Sequence, residues 1–436
     1  MTISSALNAG VMGLNVNSTR LATISDNIAN SATFGYKRSE VDFSSMVINQ
    51  QSSVYAAGGV RATSYKEVES NGSLISTGNA LDIAINGAGM IPVTDVFGID
   101  QAVAERDLMM VPTGGFTADE NGNLRTSSGL FLLGWPVDST GVVQGGSRDS
   151  ANSLVPVNID INQFASSPTR NMSLGLNLPA ENTIAGADGD PFTLPIEYYD
   201  NLGLAQELRF TFTPDVPATG ASNSWSVSVF DDAGDPAVSI ADFSVTFDDG
   251  NGTITGGTLA SVTPGAGLAY DPVTGEIQIE AVSGNITTFI GTIGEYGGMT
   301  QLGASFSPAN IVRDGAPIGD FQSVEINEQG FMEAIYNSGF RRTIFQIPVA
   351  EVPNPNGLTA VNNQAYKISG DSGDLFLWDA GDGPVGSYLG YALMESSTDI
   401  AAELTNLIET QRAYSSNAKI IQTVDEMLQE TTNLKR

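Results

Sequence analysis

Three short motifs in the sequence have residue types and spacings that could support chemistry. Residues 381–386 (GDGPVG) match the glycine spacing of a loop that binds the pyrophosphate of a dinucleotide. Residues 416–419 (SNAK) match the S-x-x-K pattern of serine acylases. Residues 119–124 (DENGNL) begin like the loop of a calcium-binding EF-hand. Each motif suggests a reaction or a ligand, and the neighbouring residues must have the structure that this chemistry requires.

The surroundings of these motifs do not support that chemistry. Residues 381–386 lie in no βαβ unit, and Asp382 would face the pyrophosphate, so a surface turn is favoured. Ser416 falls in the middle of a predicted helix, and no K-T-G motif accompanies it. The calcium loop fails because Leu124 replaces the required glycine and Leu130 replaces the bidentate glutamate. A few further carboxylates could bind calcium weakly but are better explained as solvated turns: Asp188, Asp190, Asp248 and Asp249.

The composition of the chain excludes further classes of function. Its 436 residues contain no cysteine and no histidine, which removes thiolate chemistry, disulfides and the commonest general base. With 18 basic and 49 acidic residues the net charge is −31, which disfavours nucleic acid and anionic membrane surfaces as partners. The longest apolar stretches, such as residues 129–135, are far shorter than the roughly 18 residues of a membrane span. We therefore expect no enzymatic activity, no cofactor, no metal and no membrane insertion.

Both ends of the chain carry apolar residues at a seven-residue period, which predicts an α-helix that needs a partner helix. The N-terminal series is Leu7, Leu14, Leu21 and Ile28, and the C-terminal series is Ile400, Leu404, Leu407, Tyr414, Ile421 and Leu428. Residues 396–399 (SSTD) match a capping box at the start of the second helix. Gly10 and Gly13 each cost a helix about 1 kcal/mol relative to alanine, so we expect the first helix to depend on the second.

Between the two ends the helical period disappears and strand patterns replace it. Residues 224–231 (SWSVSVFD) alternate strictly between apolar and polar side chains, as half-buried antiparallel strands do. Residues 151–309 contain 18 acidic and two basic residues, a net charge of −16. We predict an α+β multidomain fold of paired terminal heptad helices, coiled-coil-like, with nested and mainly antiparallel β-domains.

The predicted domains follow from this order along the chain. Residues 1–34 with 395–436 form the helical core domain, residues 35–78 a linker region, residues 79–150 with 310–394 an inner β-domain, and residues 151–309 an acidic outer β-domain. The sequence predicts no further helices that could cover the apolar faces of the two terminal helices. These faces must therefore contact each other or other molecules. We therefore predict an assembly interface made of the ten apolar residues of the two series: Leu7, Leu14, Leu21, Ile28, Ile400, Leu404, Leu407, Tyr414, Ile421 and Leu428.

Three segments resemble signatures of the bacterial flagellar rod and hook family. They are residues 26–37 (DNIANSATFGYK), residues 78–87 (GNALDIAING), and residues 409–419 (ETQRAYSSNAK) followed by residues 425–428 (DEML). The positions that match the family motifs are Asn27, Asn30, Gly35, Tyr36, Gln411, Arg412, Ala413 and Asn417. The matches cover roughly residues 1–150 and 310–436, in the order of the family.

The resemblance implies a structural subunit that assembles with copies of itself into a helical tube. A chain of this length with a large acidic insert is most similar to the hook members, which form the flexible tubular joint that transmits torque from rod to filament. The implied partners are the distal rod protein, the hook cap, the hook–filament junction proteins and the flagellar type III export apparatus. The implied location is the extracellular flagellum, continuous with the basal body.

Other readings of the sequence remain open at this point. Within the family, the chain could be a distal rod protein. Outside it, the acidic β-domain could belong to a secreted acidic hydrolase with a carboxylate pair, or to a calcium-dependent adhesin. These readings differ in whether the purified protein forms tubes.

Overall fold

A computed structural model describes residues 3–46, 58–99, 101, 106–138, 141–159, 164–252 and 254–433. The chain forms two compact units. The first unit comprises Met1–Ile161, Ser323–Ala334 and Arg342–Arg436, and the second comprises Asn162–Gln322 and Ile335–Arg341. Two long α-helices belong to the first unit, and both units contain mainly antiparallel sheets, so the fold is α+β.

The elements of the first unit before the chain enters the second are α1 (Ile3–Ala29), β1 (Ser39–Ser45), β2 (Val60–Lys66), β3 (Leu74–Ser76), β4 (Asp82–Asn86), β5 (Ile91–Thr94), β6 (Leu108–Val111), β7 (Thr113–Ala118), β8 (Leu124–Thr126), β9 (Phe131–Pro136) and β10 (Val155–Pro156). The strands of the second unit are β11 (Ala165–Ser167), β12 (Asn171–Pro179), β13 (Phe192–Tyr199), β14 (Ala205–Pro214), β15 (Ser224–Asp231), β16 (Ser239–Phe247), β17 (Leu259–Pro264), β18 (Tyr270–Asp271), β19 (Glu276–Ala281), β20 (Gly284–Phe289), β21 (Thr300–Leu302), β22 (Ser307–Arg313) and β23 (Ala316–Gly319).

The chain passes between the units within β24 (Phe321–Ile326), β25 (Phe331–Tyr336) and β26 (Arg341–Gln346). It then completes the first unit with β27 (Val349–Glu351), β28 (Thr359–Ala360), β29 (Tyr366–Lys367), β30 (Phe376–Trp378), β31 (Ser387–Gly390), β32 (Ala392–Met394) and α2 (Ile400–Asn433).

Both predicted terminal helices are present, and they run antiparallel against each other. A β-carbon added to Gly10 would lie 3.1 Å from Cγ1 of Ile421, and one added to Gly13 would lie 2.8 Å from Nδ2 of Asn417. Farther along α1, Asn27 bonds to Glu403 on α2. The glycines that weaken α1 as an isolated helix are therefore the positions at which α2 approaches it closely.

The predicted capping box of α2 is wrong in its position. The N-cap is Asp399, whose Oδ1 accepts hydrogen bonds from the backbone N–H groups of Ala401 (2.8 Å) and Ala402 (3.2 Å). The hydroxyl oxygen of Ser397 instead accepts from the backbone N–H of Arg38, at 3.0 Å. Tertiary contact with the segment that follows α1 thus uses one of the serines that looked like part of the cap.

Strands β1 and β2 form an antiparallel hairpin that lies against α1. The guanidinium of Arg20 on α1 lies 5.8 Å from the ring centre of Phe43 on β1. The rest of the first unit is a β-domain in which β4 pairs with β7 and β31, and β9 pairs with β5, β10 and β26. Strand β3 pairs with β32, directly before α2, so the start and the end of the β-domain lie side by side.

The second unit is a β-sandwich whose two sheets share one core. One sheet has the order β13-β14-β15-β16-β17, and the other contains β18, β19, β20, β12 and β21, with β22 also paired to β12. In β15 the side chains of Trp225, Val227 and Val229 are buried, as their alternation predicts. Strand β12 is parallel to β20 and β21, so the sheets are mainly but not wholly antiparallel.

The close approach of the helices predicts that bulk at Gly13 separates them. Gly13→Val places a branched side chain where Asn417 now lies, and we expect a loss of about 1–3 kcal/mol in the stability of the helix pair. The control is Ala22→Val on the exposed face of α1, which costs a few tenths of a kcal/mol through helix propensity alone. Thermal melting followed by helix ellipticity at 222 nm distinguishes them, and equal melting curves would contradict the close contact.

Candidate functional site: the terminal helix pair

Small and polar residues take part in the contact between α1 and α2, together with Ile421 opposite Gly10. On α1 the buried residues are Gly10, Gly13, Val16, Asn17, Ile24 and Asn27. On α2 they are Glu403, Thr410 and Val424, with Asn417 half-buried beside Gly13. We call this set of residues the seam. It recurs at seven-residue spacing on α2 through positions 403, 410, 417 and 424.

The apolar residues predicted for assembly lie beside the seam. Six of the ten are half-buried: Leu7, Leu14, Leu21, Ile28, Leu407 and Ile421. Ile421 takes part in the helix contact itself, opposite Gly10. The other four are exposed: Ile400, Leu404, Tyr414 and Leu428. Other large apolar side chains of α2 stay in contact with solvent.

The exposed apolar residues near the start of α2 form one stripe. Ile400, Leu404 and Ile408 recur every four residues, so they share a face of the helix. Their exposed fractions are 49%, 46% and 51%. A second group lies farther along the helix and contains Tyr414, Ile420, Met427 and Leu428. A single exposed aliphatic residue is ordinary, but a helix face that repeats them is typical of an interaction surface.

Asn27 is the polar node at the base of the helix pair, and its side chain is only 1% exposed. Its Nδ2 donates to the carbonyl of Ser39 (2.9 Å) and to Oε1 of Glu403 (3.0 Å). Its Oδ1 accepts from the backbone N–H of Ser39, at 2.8 Å. The amide therefore pairs with β1 as a neighbouring strand would, and it also fixes the register of α2 on α1.

Tyr36 and Gly35 lie at the same end of the helix pair as Asn27. The Tyr36 hydroxyl donates to Oδ2 of Asp26 at 2.9 Å, with Oδ1 of Asn27 at 3.2 Å. Burial, followed by the bond to Asp26, raises the pKa of the Tyr36 phenol well above its usual value, so it remains a donor. Gly35 has a φ of +70°, and an added β-carbon would lie 3.0 Å from Cγ2 of Thr113. A larger residue there would meet both backbone strain and a collision.

The other residues that match the family motifs lie on the helix surface or at its end. Asn30 donates from Nδ2 to the carbonyl of Asp26 at 2.9 Å, which terminates α1. Gln411, Arg412 and Ala413 are exposed on α2. Sequence reasoning identified these positions but missed Glu403 and Thr410, because a polar residue in a heptad pattern is ordinarily assigned to the solvent face.

The motifs that suggested chemistry are engaged in local structure. The hydroxyl of Ser416 donates to the carbonyl of Arg412 within α2, at 2.9 Å. Oδ1 of Asp119 accepts from the backbone N–H groups of Asn121 (2.9 Å) and Asn123 (2.8 Å), which closes a turn. Among the residues that the structure describes, no group of three or more acidic side chains could hold a metal ion. In the same part of the chain, no helix combines the length and apolar character needed to cross a bilayer.

Replacing the Asn27 amide should weaken the helix pair. Asn27→Asp removes both Nδ2 donors and places a carboxylate about 3 Å from that of Glu403, so we expect a loss of about 2–4 kcal/mol. Asn15→Asp makes the same chemical change at an exposed position of α1 and is the control. Hydrogen exchange of α1 and α2 in the monomer measures the effect. If the two variants exchange alike, Asn27 does not fix the register.

Three family models match the chain. "Flagella basal body rod protein" matches residues 7–37, "Flagellar basal body protein FlaE D2 domain" matches residues 176–316, and "Flagellar basal body rod FlgEFG protein C-terminal" matches residues 391–434. The first match contains nearly all of α1, the third contains all of α2, and the second lies within the second unit.

Curated relatives match over the full length of the chain. The flagellar hook protein FlgE of Rhizobium meliloti (strain 1021) is 32% identical over 440 residues, which cover 100% of both chains. The flagellar hook protein FlgE of Escherichia coli (strain K12) is 28% identical over 99% of this chain and 100% of its own. A crystal structure of the Helicobacter pylori flagellar hook protein FlgE2 is similar over 72% of this chain and 98% of that chain, with 12% identity and a TM-score of 0.48. The full-length identity to the curated relatives, together with the matches at both helices and in the sandwich, places the chain in the flagellar hook protein family, as a subunit of the hook.

Proposed function

We propose that this hook subunit polymerises through the exposed apolar faces of its two terminal helices. The supporting observation is the composition of the seam, which joins α1 to α2 through small and polar residues and leaves Ile400, Leu404 and Ile408 about half exposed. The chain has a net charge of −31. Transfer of a repeating aliphatic face from water to a contact with a neighbouring copy lowers the free energy.

The energy available at such a contact is large enough to drive assembly. Burying one aliphatic side chain fully contributes about 1.5–3 kcal/mol, and half of that remains to be gained by a side chain already half-buried. Several such residues on each helix, repeated over several neighbours, can exceed the cost of immobilising a subunit. A contact between two different faces of the molecule produces a helical tube, and not a ring, when the rotation between neighbouring copies does not close.

The ten predicted residues would make two kinds of contact within this interface. The parts of the six half-buried residues that remain exposed would be covered by helices of adjacent copies, while the four exposed ones would reach farther between subunits. The regular seven-residue spacing favours coiled-coil-like packing between copies. In this proposal the terminal helices build the inner wall of the tube, and the protein acts mechanically, with no enzymatic activity.

The wider role proposed for the chain follows from that of a hook subunit. The tube would be the flexible joint that transmits torque from rod to filament outside the cell. Its ends would meet the distal rod protein and the hook–filament junction proteins, with the hook cap present during growth. Delivery would be through the flagellar type III export apparatus.

We further propose that the acidic segment 151–309 is an outer β-domain that adjusts the shape of the polymer without building its wall. Its 18 acidic residues against two basic ones would make neighbouring copies repel over roughly 8–10 Å at physiological salt. Contacts between surfaces that repel each other in this way would be weak and adjustable. Such contacts suit a joint whose subunit spacing changes as it rotates.

Charges placed on the apolar stripe of α2 should prevent polymerisation without unfolding the subunit. We expect Leu404→Asp with Ile408→Asp to raise the critical concentration for assembly at least about a hundredfold, since roughly 3 kcal/mol of burial is lost. The control is Thr405→Asp with Ser416→Asp, two exposed positions on the next face of the helix. Sedimentation and negative-stain electron microscopy measure assembly, and normal tubes from the first variant would refute the proposed interface.

Removal of the sandwich should change the curvature of the polymer and preserve assembly. Strand β11 pairs antiparallel with β23, with Ser167 opposite Ala316, so residues 168–315 can be excised and the strands joined by a two-residue Asn-Gly turn. Electron microscopy should show tubes of altered curvature or stiffness. The control carries the same two-residue insertion after the exposed Val273 of the intact chain. Loss of all tubes from the excised variant would mean that the sandwich is part of the framework.

A further inference from the structure

Three short connectors meet where the helix pair and its hairpin adjoin the β-domain of the first unit. They are residues 30–38 after α1, residues 67–73 after β2, and residues 395–399 before α2. The connectors bond to one another through their backbones: Glu67 N–H to Arg38 O (2.9 Å), Ser397 N–H to Tyr36 O (3.0 Å), and Glu395 N–H to Ser73 O (2.8 Å). The helical part and the β-domain of this unit therefore meet at one small bundle of backbone.

The side chain of Lys37 lies where the connectors meet and is only 2% exposed. Its Nζ donates to the carbonyl of Ser70 at 2.8 Å and to Oδ1 of Asn71 at 2.6 Å, and it lies 3.9 Å from Sδ of Met394. Asn71 in turn donates from Nδ2 to the carbonyl of Gly87, directly after β4, at 2.7 Å. A continuous line of hydrogen bonds thus runs from the segment after α1 into the β-domain.

The charged groups around Lys37 come from several elements. Glu67 and Glu69 lie on the second connector, and Glu351 on β27 lines the same small cavity, of about 60 Å³, as Glu69 and Lys37. The ammonium of Lys66 donates to the Lys37 carbonyl at 3.2 Å. Burial lowers the pKa of Lys37 to about 8, and Glu67 opposes that shift. The two oxygen atoms that accept from Nζ are both uncharged, so the charge is not what holds this side chain in place.

We propose that Lys37 is a positioning residue for assembly, which together with Asn71 fixes the angle at which the helix pair leaves the β-domain and thereby sets the curvature of the polymer. The inference rests on the proposed polymerisation through the terminal helices. A small change of angle at a connector is repeated in every subunit of a helical tube, so it accumulates into a change of pitch or curvature. Among the described residues of the three connectors, Lys37 is the only buried charged side chain, and it donates to two neighbouring residues of another connector.

The mechanism is hydrogen bonding and not charge, and this distinction is testable. A neutral amine keeps two N–H groups, which match the two oxygen acceptors, so the angle should survive loss of the proton. The free energy of unfolding, by contrast, should depend on pH. The pKa of Lys37 is about 8 in the folded protein and 10.5 ordinarily, so the unfolded chain binds more protons than the folded one between those pH values. Stability should therefore rise with pH through that window.

The principal experiment compares polymers of the intact chain with those of Lys37→Met and Asn71→Ser. Electron microscopy should show that all three assemble, and that both variants differ from the intact chain in helical pitch or curvature. The control is Lys367→Met, which removes a lysine paired with Asp107 on the surface of the first unit and should keep the original pitch. Unchanged pitch in Lys37→Met and Asn71→Ser would overturn the inference, whereas failure of the intact chain to polymerise would overturn the proposed function instead.

A pH series provides the second readout. Between pH 7.5 and 9.5 the melting temperature of the intact chain should rise relative to that of Lys37→Met, while the pitch of its polymers stays constant. A pitch that shifts with pH in the intact chain but not in Lys37→Met would show that the charge sets the angle, against the proposal. If Lys37→Met does not fold, Asn71→Ser carries the test of angle, because it retains Lys37 and removes the bond to Gly87.

Discussion

The antiparallel contact between α1 and α2 is the constraint on which the rest of the first unit depends. Two helices can approach so closely only where side chains are small, and Gly10 and Gly13 supply that space opposite Ile421 and Asn417. At the other end of the contact, the bonded pair Asn27 and Glu403 fixes the register. Several other aliphatic residues of α2, among them Ile400, Leu404 and Ile408, take no part in this contact and stay exposed. One choice of packing therefore determines both the stability of the subunit and the surface it offers.

The helices and strands were largely predictable, whereas the seam was not. A seven-residue period and strict alternation are local signals, and they correctly predicted α1, α2 and strands such as β15. The period does not say which of two neighbouring helix faces is buried inside the chain. Glu403 and Thr410 looked like solvent positions because they are polar, and Gly10 and Gly13 looked like weak points because propensity ignores the partner helix.

The joint between the helices and the β-domain could not be predicted for a different reason. Its members come from three segments that are far apart in sequence, so no local period connects Lys37 with Asn71 and Met394. A lysine in a polar segment is ordinarily assigned to the surface. The side chain becomes buried only when the fold closes, and the same closure brings Ser397, next to the predicted cap residues, into contact with Arg38. The family motif at residues 26–37 includes Lys37, but the motif alone does not indicate that this lysine is buried.

The contact between Asn27 and Glu403 joins positions 376 residues apart, and this separation affects how the subunit folds. The entropy lost on closing a loop grows with its length, and contacts of long range slow folding. Folded β-domains shorten the effective loop, because strand pairs such as β3 with β32 bring its ends together beforehand. We therefore expect the helix pair to form after the β-domains have folded. If the terminal helices build the polymer as proposed, a copy whose β-domains are misfolded would offer no completed helix pair to its neighbours, and the order of folding would select which copies join.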